Sequence, residues 1–266
     1  MRIPQYEIHQ TGAYRYIDEG PSTDLPTVVL LHGMLGDLSN WAATIGDLSV
    51  NGYRVVVPVL PVYGLPLKQT SVQGLSDFVH EFLTDLDIEN VTLVGNSLGG
   101  QVAILYALSY PERVAAMVLS GSSGIYEAEM GTGTPRRRDR EFIRERAAVT
   151  FFEPRHVTDE LVDDMVDIIN DRARVARLIK MARSTKKETV ASRLSDIRVP
   201  TLLVWGRNDL ITPPDVADEF RERIENSELH LIDKCGHAPM IERPETFNPI
   251  MISFLRKTIG TATMAI

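Results

Sequence analysis

The segment VTLVGNSLGGQVA, residues 91–103, is the feature that most constrains the fold of this chain. Its first half is a short β-branched and aliphatic run, typical of a strand buried on both faces. Its second half continues as LGGQVAILYALSY, in which apolar residues recur at helical spacing. So abrupt a change from strand to helix requires residues without a Cβ, and Gly95, Gly99 and Gly100 supply them. We therefore expect the turn to project Ser97 outward from the carboxyl end of the strand.

Ser97 occupies the centre of the pattern G-x-S-x-G, written here as Gly95-Asn96-Ser97-Leu98-Gly99. Between a strand and a helix, this pattern is typical of a nucleophilic serine held on a sharp turn. The motif alone leaves open a Gly/Ser turn without chemistry. The interpretation therefore depends on finding a base and a carboxylate elsewhere in the chain.

Two loops that follow late apolar runs contain the partners that a serine nucleophile requires. PTLLVWGRNDLITP places Asp209 after one predicted strand, and HLIDKCGHAPMIERP places His237 after the last one. A histidine can accept the serine proton, and a carboxylate can hold the tautomer of that histidine. We predict that Ser97, Asp209 and His237 form a catalytic triad. Asp233 and Asp215 remain as alternatives for the acid.

Nucleophilic attack on a carbonyl creates an oxyanion, and backbone N–H groups are its usual donors. The N–H of Leu98, directly after the nucleophile, is one predicted donor. In LLHGMLGDLSNW, Gly33 lets the chain turn after an early strand so that the N–H of Met34 can face the same point. We interpret His32 as a residue that braces this loop, with a second base as the alternative.

Apolar β-branched runs alternate with helical periodicity along most of the chain. The strand-like runs are YRYIDEG, PTVVLLHG, YRVVVPVL, VTLVG, RVAAMVLS at residues 113–120, PTLLVWG and SELHLID. This alternation predicts an α/β fold with a mostly parallel central sheet and helices on both faces. Ligands of such sheets bind outside the carboxyl ends of the strands, which is where Ser97, Asp209 and His237 fall.

The alternation stops over residues 122–195, where the pattern is helical. We expect a helical cap there, inserted into an α/β core of residues 1–121 and 196–266. Two apolar stripes are predicted for the cap helices: Leu161, Met165, Ile168 and Ile169 in one, and Val175, Leu178, Ile179 and Ala182 in the other. The run RRR at residues 136–138 is followed by acidic residues at helical spacing, which favours a solvated helix face over an anion site.

Composition narrows the possible partners. The net charge of −8 disfavours nucleic acid as a partner, and no run of about 18 apolar residues indicates a membrane span. The opening MRIPQYEIHQ lacks the apolar stretch of a signal peptide, so we expect a cytoplasmic location. The single Cys235 excludes an internal disulfide. No histidine pair has zinc-ligand spacing and GNSLGG lacks the G-x-G-x-x-G spacing, so we expect neither a metal nor a cofactor.

The segments HGMLGD, GNSLGG, WGRNDLITP and CGHAPMIERPETFN together resemble the α/β-hydrolase fold family over nearly the whole chain, cap included. The order Ser97, Asp209, His237 is also similar to the triad order of that family. The resemblance implies a capped serine hydrolase that acts on a small molecule. Within the family, GNS, TDELV, SRLSDI and KCGH are most similar to the carbon–carbon bond hydrolases of meta-cleavage pathways.

The chain departs from those carbon–carbon hydrolases at three places, and from the wider family at a fourth. The family usually has Trp after the catalytic His, where this chain has Ala238, and Arg in a cap helix about where Met165 falls. Its HGxGPG loop corresponds to HGMLG here, and the wider family's D-x-P-G-Y-G corresponds to VLPVYG at residues 59–64. With Met165 and Ala238 as pocket residues, the pocket is predicted to be apolar.

We therefore expect a carboxylesterase-like enzyme that cleaves a small, largely apolar carboxylic ester through an acyl-enzyme on Ser97. The alternative is a carbon–carbon bond hydrolase that acts on a vinylogous diketone acid. A third possibility, a ligand receptor of the same fold, is disfavoured by the intact triad.

Overall fold

The computed structural model describes residues 5–128 and 139–260. Within these ranges, eight strands form one sheet, and those in its centre are buried along their whole length because β-branched and aliphatic residues fill both faces. The strands are β1 His9–Thr11, β2 Tyr14–Glu19, β3 Thr27–Leu31, β4 Val55–Pro58, β5 Val91–Asn96, β6 Val114–Ser120, β7 Thr201–Gly206 and β8 Ser227–Ile232.

The strand order in the sheet is β1-β2-β4-β3-β5-β6-β7-β8. The pairs β1–β2 and β2–β4 are antiparallel, and every other pair is parallel, which confirms the predicted mostly parallel sheet. The register pairs Leu31 with Gly95, and Asn96 with Ser120. The carboxyl ends of β3, β5 and β6 therefore lie side by side, and the loops that follow them share one edge of the sheet.

Helices cover both faces of the sheet. They are α1 Ala42–Val50, α2 Val72–Asp85, α3 Leu98–Ser109, α4 Arg140–Ala148, α5 Asp159–Asn170, α6 Arg172–Lys187, α7 Pro214–Arg223, α8 Pro239–Glu242 and α9 Pro244–Thr258. Successive strand residues point to opposite faces, so Leu93 belongs to the apolar layer that contains residues of α2, α3 and α7, whereas Val94 belongs to the layer that contains residues of α1, α8 and α9. These two apolar layers fix the sheet, and with it the positions of the loops at its edge.

The segment between β6 and β7 contains helices α4, α5 and α6, as the cap prediction requires. Each begins at a side chain that accepts a backbone N–H: Asp139 for α4, Thr158 for α5 and Asp171 for α6. A small apolar cluster joins α4 to α5 and is separate from the two layers against the sheet. The boundaries at residues 122 and 195 stay a prediction, and the arginine run at 136–138 lies outside the described residues.

The apolar stripes predicted for the cap helices need correction. In α5 the buried residues are Val162, Met165 and Ile168, so the first stripe is displaced toward Val162. The second stripe is right only in part: Val175, Leu178 and Ala182 are half-buried, but Ile179 is 48% exposed. The fully buried residues of α6 are Met181, Ser184 and Thr185. Helix α6 docks through Met181, which joins the apolar core, and through a polar contact in which the Ser184 hydroxyl accepts the N–H of Val72 at 2.9 Å. Apolar periodicity cannot indicate a contact of that kind.

Candidate active site

The turn between β5 and α3 has the strained geometry that the sequence predicts. Ser97 has φ 55° and ψ −120°, a conformation that residues other than glycine rarely adopt. A Cβ at Gly95 would lie 2.4 Å from the carbonyl oxygen of Gly99, and one at Gly99 would lie 2.1 Å from that of Leu31. Both positions therefore require glycine. Ser97 is partly exposed, whereas both of its sequence neighbours are buried.

Asp209 and His237 lie in the loops after β7 and β8, and their side chains meet below the surface. Nδ1 of His237 lies 2.8 Å from Oδ2 of Asp209, and both residues are buried. Oδ1 of Asp209 accepts the N–H groups of Ile211 and Thr212 at 2.8 and 3.0 Å, and Oδ2 also accepts the Thr212 hydroxyl at 2.9 Å. These donors hold the carboxylate as an acceptor, so Nδ1 of His237 carries the proton.

Nε2 of His237 is buried and has no hydrogen-bond partner among residues 5–128 and 139–260. A buried polar atom without a partner is rare in folded proteins and calls for an explanation. Because Nδ1 already donates to Asp209, Nε2 is left as a bare acceptor. The histidine is therefore in the tautomer that a general base requires.

The structure brings His237 together with Asp209 and with neither of the alternative acids. Asp233 pairs with Arg207 at 2.5 Å, and its side chain is 77% exposed. Asp215 is exposed in the first turn of α7. Neither contacts the imidazole, so Asp209 is the carboxylate that orients it.

Asn96 and Thr212 also hold His237 and Asp209 in place, although the sequence analysis singled out neither: the Thr212 hydroxyl donates to Asp209. The amide of Asn96 donates to the backbone carbonyls of Ser120 at 2.9 Å and His237 at 3.0 Å. It thus ties the loop of His237 to the ends of β5 and β6. The available signal was an amide at the end of an otherwise apolar strand, because a buried amide requires partners.

The loop after β3 lies against Ser97. A Cβ at Gly33 would lie 3.3 Å from the Cβ of Ser97, so the backbone of this loop passes directly beside the serine. The Gly33 carbonyl accepts Nδ1–H of His32 at 2.8 Å and the N–H of Gly36 at 3.1 Å. In a planar trans peptide the C=O and N–H point in opposite directions. Fixing the Gly33 carbonyl therefore also fixes the N–H of Met34.

His32 braces the loop, and both of its ring nitrogens are engaged. Nε2 accepts the N–H of Leu60 at 3.0 Å while Nδ1 donates to Gly33. Burial lowers the pKa of His32 from its ordinary value, which keeps the ring neutral. A ring with both nitrogens occupied cannot act as the second base that the sequence left open.

Residues 59–64, where the chain departs from the wider family pattern, also contact this loop. The hydroxyl of Tyr63 donates to the carbonyl of Met34 at 3.1 Å. Burial raises the pKa of Tyr63, so the phenol keeps its proton and remains a donor. On the other side, Nε of Arg177 in the cap helix α6 donates to the carbonyl of Leu65 at 2.9 Å. The segment thus connects the predicted oxyanion loop to the cap.

The two predicted pocket residues are both buried. Met165 lies in the apolar cluster between α4 and α5, where Ile143, Ala147 and Val162 surround it. Ala238 follows the base and packs in the apolar layer that contains α8 and α9. Their roles in substrate binding stay a prediction.

The part of the chain that the structure describes offers neither a metal-binding cluster nor a membrane-spanning helix. No group of three or more His, Cys, Asp or Glu side chains is arranged there to hold a metal ion. No helix within those residues has the length and apolar character needed to cross a membrane.

Comparison with known proteins gives one consistent family. The chain is 32% identical to 2-hydroxy-6-oxononadienedioate/2-hydroxy-6-oxononatrienedioate hydrolase 1 of Pseudomonas putida, with 96% of this chain and 95% of that protein covered. It is 30% identical to the hydrolase of the same name from Klebsiella pneumoniae, with 96% and 98% covered.

Solved structures agree with this result. An α/β hydrolase from the sediment metagenome of the Mar Chica lagoon, Morocco, matches at 33% identity and TM-score 0.78, covering 94% of this chain and 98% of that one. A meta-cleavage product hydrolase from Pseudomonas fluorescens matches at 26% identity and TM-score 0.78, with 92% and 94% covered. The family model described as the alpha/beta hydrolase family matches residues 28–250, and this chain, a hydrolase, belongs to that family.

Proposed function

We propose that this enzyme is a serine-dependent hydrolase that cleaves the carbon–carbon bond beside a carbonyl of a vinylogous diketone acid. The observation that carries the proposal is the buried pair of His237 and Asp209, whose geometry leaves Nε2 of the base free to accept a proton. Support for the substrate class comes from relatives about one third identical over nearly the whole chain, whose names describe hydrolases of such acids. Those names favour the carbon–carbon alternative over the ester hydrolysis that the sequence first suggested.

The reaction begins when Nε2 of His237 takes the proton of Ser97 and the serine oxygen attacks the carbonyl carbon. The negative charge then develops on the carbonyl oxygen, where the N–H groups of Met34 and Leu98 bind it. Asp209 stabilises the imidazolium that forms.

The carbon–carbon bond then breaks, and its electron pair passes into the conjugated system of the leaving group. His237 returns the proton to that group, which leaves an acyl-enzyme on Ser97. A water molecule, deprotonated by His237, hydrolyses the acyl-enzyme and restores the serine.

Ester hydrolysis is the second candidate, and it requires the same residues with an alcohol as the leaving group. The apolar side chains of Met165 and Ala238 favour it, since a diketone acid brings a carboxylate that needs a cation or several donors. The two candidates thus differ in the substrate and in the bond that breaks, and they share the catalytic residues.

The test compares kcat/KM for one dienoic diketone acid with kcat/KM for a graded panel of p-nitrophenyl esters. We expect the acid to be the better substrate, and a best ester that exceeds it would establish the second candidate instead. Ser97→Ala should lose on the order of 10⁴ to 10⁶ in rate on both substrates while remaining folded. A single stoichiometric burst without turnover would indicate a ligand receptor.

A further inference from the structure

Glu242 is a buried carboxyl group that the proposed chemistry does not use. It ends the short helix α8, just after the base, and is only 2% exposed. Its Oε1 accepts the N–H of Gly236 at 2.7 Å, and its Oε2 accepts the N–H of Phe152 at 2.7 Å. Gly236 precedes the base directly, whereas Phe152 follows helix α4 of the cap. One carboxyl group therefore holds two distant segments together.

The same two segments also meet through the backbone of the base. The N–H of His237 donates to the carbonyl of Thr150 at 2.8 Å. A Cβ at Gly236 would lie 2.6 Å from that carbonyl and 2.9 Å from the nitrogen of Phe152. Only glycine permits so close an approach, so residues 150–152 and the base loop are packed backbone to backbone.

We propose that Glu242 is a positioning residue that couples the cap to the general base. The packing of residues 150–152 against Glu242 and the loop of His237 then determines the position of the imidazole. Hydrogen bonds to a carboxylate are among the stronger ones in proteins, and here each oxygen holds a different segment. A displacement of about 1 Å in a catalytic group can cost on the order of 10² in rate. This inference rests on the proposed role of His237 as the base.

The first variant is Glu242→Gln, which keeps the shape and replaces one acceptor oxygen with an NH₂ group. Only one of the two segments then finds an acceptor, because the NH₂ group faces an N–H that it cannot bind. We expect kcat to fall about 10-fold to 100-fold with KM nearly unchanged. The matched control is Glu228→Gln on strand β8, which removes a surface ion pair with Lys257 and should keep kcat within about twofold.

A double-mutant cycle with His237→Ala separates positioning of the base from a general loss of structure. If Glu242 acts through His237, Glu242→Gln should change the residual rate of His237→Ala by less than about twofold. The folded fraction of each variant at the assay temperature is measured by thermal unfolding, and each rate is divided by that fraction. If Glu242→Gln does not fold, Glu242→Asp, which retains both acceptors on a shorter side chain, replaces it in the cycle.

Two results would overturn the proposal while leaving the base assignment intact. One is a kcat for Glu242→Gln within twofold of wild type. The other is that Glu242→Gln lowers kcat by the same factor in the wild-type enzyme and in the His237→Ala variant. A third result, His237→Ala retaining activity within tenfold of wild type, would remove the proposed function and this inference together.

Discussion

The backbone N–H of Leu60 donates to Nε2 of His32 at 3.0 Å, and this contact determines the chemical state of the histidine. A backbone N–H can only donate, so Nε2 must be unprotonated and Nδ1 must carry the hydrogen that it gives to Gly33. A second proton on the ring would place two donors face to face. The loop beside Ser97 is therefore held by a histidine that must remain neutral.

This requirement predicts how stability depends on pH. Burial lowers the pKa of His32 in the folded state below its ordinary value of 6.5, so below pH 6.5 the unfolded chain binds the proton more readily. The stabilising contribution is present above about pH 6.5 and is lost as pH falls toward the folded pKa, with a limiting slope of about 1.4 kcal/mol per pH unit. Denaturant unfolding between about pH 8 and pH 5 should show this loss in wild type.

The control for the pH series compares two histidine variants. In His32→Gln the free energy of unfolding should depend less steeply on pH, because the contribution of His32 is removed. His230→Gln changes an exposed residue and should show the same pH dependence as wild type. A slope that persists in His32→Gln would show that the titration belongs to another group.

A second prediction concerns Tyr63, whose hydroxyl donates to the carbonyl of Met34. Tyr63→Phe removes a hydrogen bond worth about 1 kcal/mol, which corresponds to roughly fivefold in rate if it all serves to place the oxyanion donor. We expect that fall in kcat, with KM and Tm little changed. Tyr14→Phe is the matched control because it removes only a surface hydrogen bond to Asp85. Equal kcat in both variants would exclude a role for Tyr63 in placing Met34.

The sequence predicted those parts of the fold that depend on the order of residues within a short stretch of chain. The buried run VTLVG, the glycines around Ser97 and the alternation of strand and helix all follow from the chain's own residues. The docking of α6 does not, because the Ser184 hydroxyl meets a backbone N–H from Val72, 112 residues away. A hydrogen bond of this kind produces no apolar periodicity, so the sequence alone cannot predict it.

The same distinction holds for the site. Ser97, Asp209 and His237 could be proposed as site residues because their residue types fall just after predicted strands, and the carboxyl ends of parallel strands bring the following loops together. Asn96 and Glu242 could not be given a role, since their partners are backbone groups, and two of these, the carbonyl of His237 and the N–H of Phe152, lie far away in the sequence. Any residue provides a backbone N–H or C=O, so these partners have no signature in the sequence.

A third prediction tests the carboxylate that orients the base. In Asp209→Asn the amide oxygen can take the N–H groups of Ile211 and Thr212, which leaves the NH₂ group opposite Nδ1 of His237. Nδ1 must then become an acceptor, and Nε2 carries the proton that it should be free to receive. We expect a loss in kcat of about 10⁴.

Asp233→Asn provides the control, because Asp233 pairs with Arg207 at the surface and such pairs contribute little. Its kcat should stay within about twofold of wild type. If Asp233→Asn proved the more damaging of the two, the acid role would pass to Asp233.

The fourth prediction concerns Met165, the residue at the cap position where similar carbon–carbon hydrolases usually carry Arg. It is 9% exposed and packs with Ile143, Ala147 and Val162 in the cluster that joins α4 to α5. An arginine at this position would bring an unpaired charge into an apolar cluster, which costs several kcal/mol. Met165→Leu, by contrast, conserves volume and polarity and should be tolerated.

We expect Met165→Arg to lower Tm by roughly 5 to 10 °C and to lower kcat/KM for both the dienoic acid and the best ester, because the cap loses its packing. Met165→Leu should keep both the Tm and the ratio of the two kcat/KM values. A pocket role gives a different pattern: the new guanidinium would pair with the substrate carboxylate and raise kcat/KM for the acid alone, at an unchanged Tm. Measuring Tm together with both kcat/KM values therefore decides whether Met165 serves the packing of the cap or the recognition of substrate.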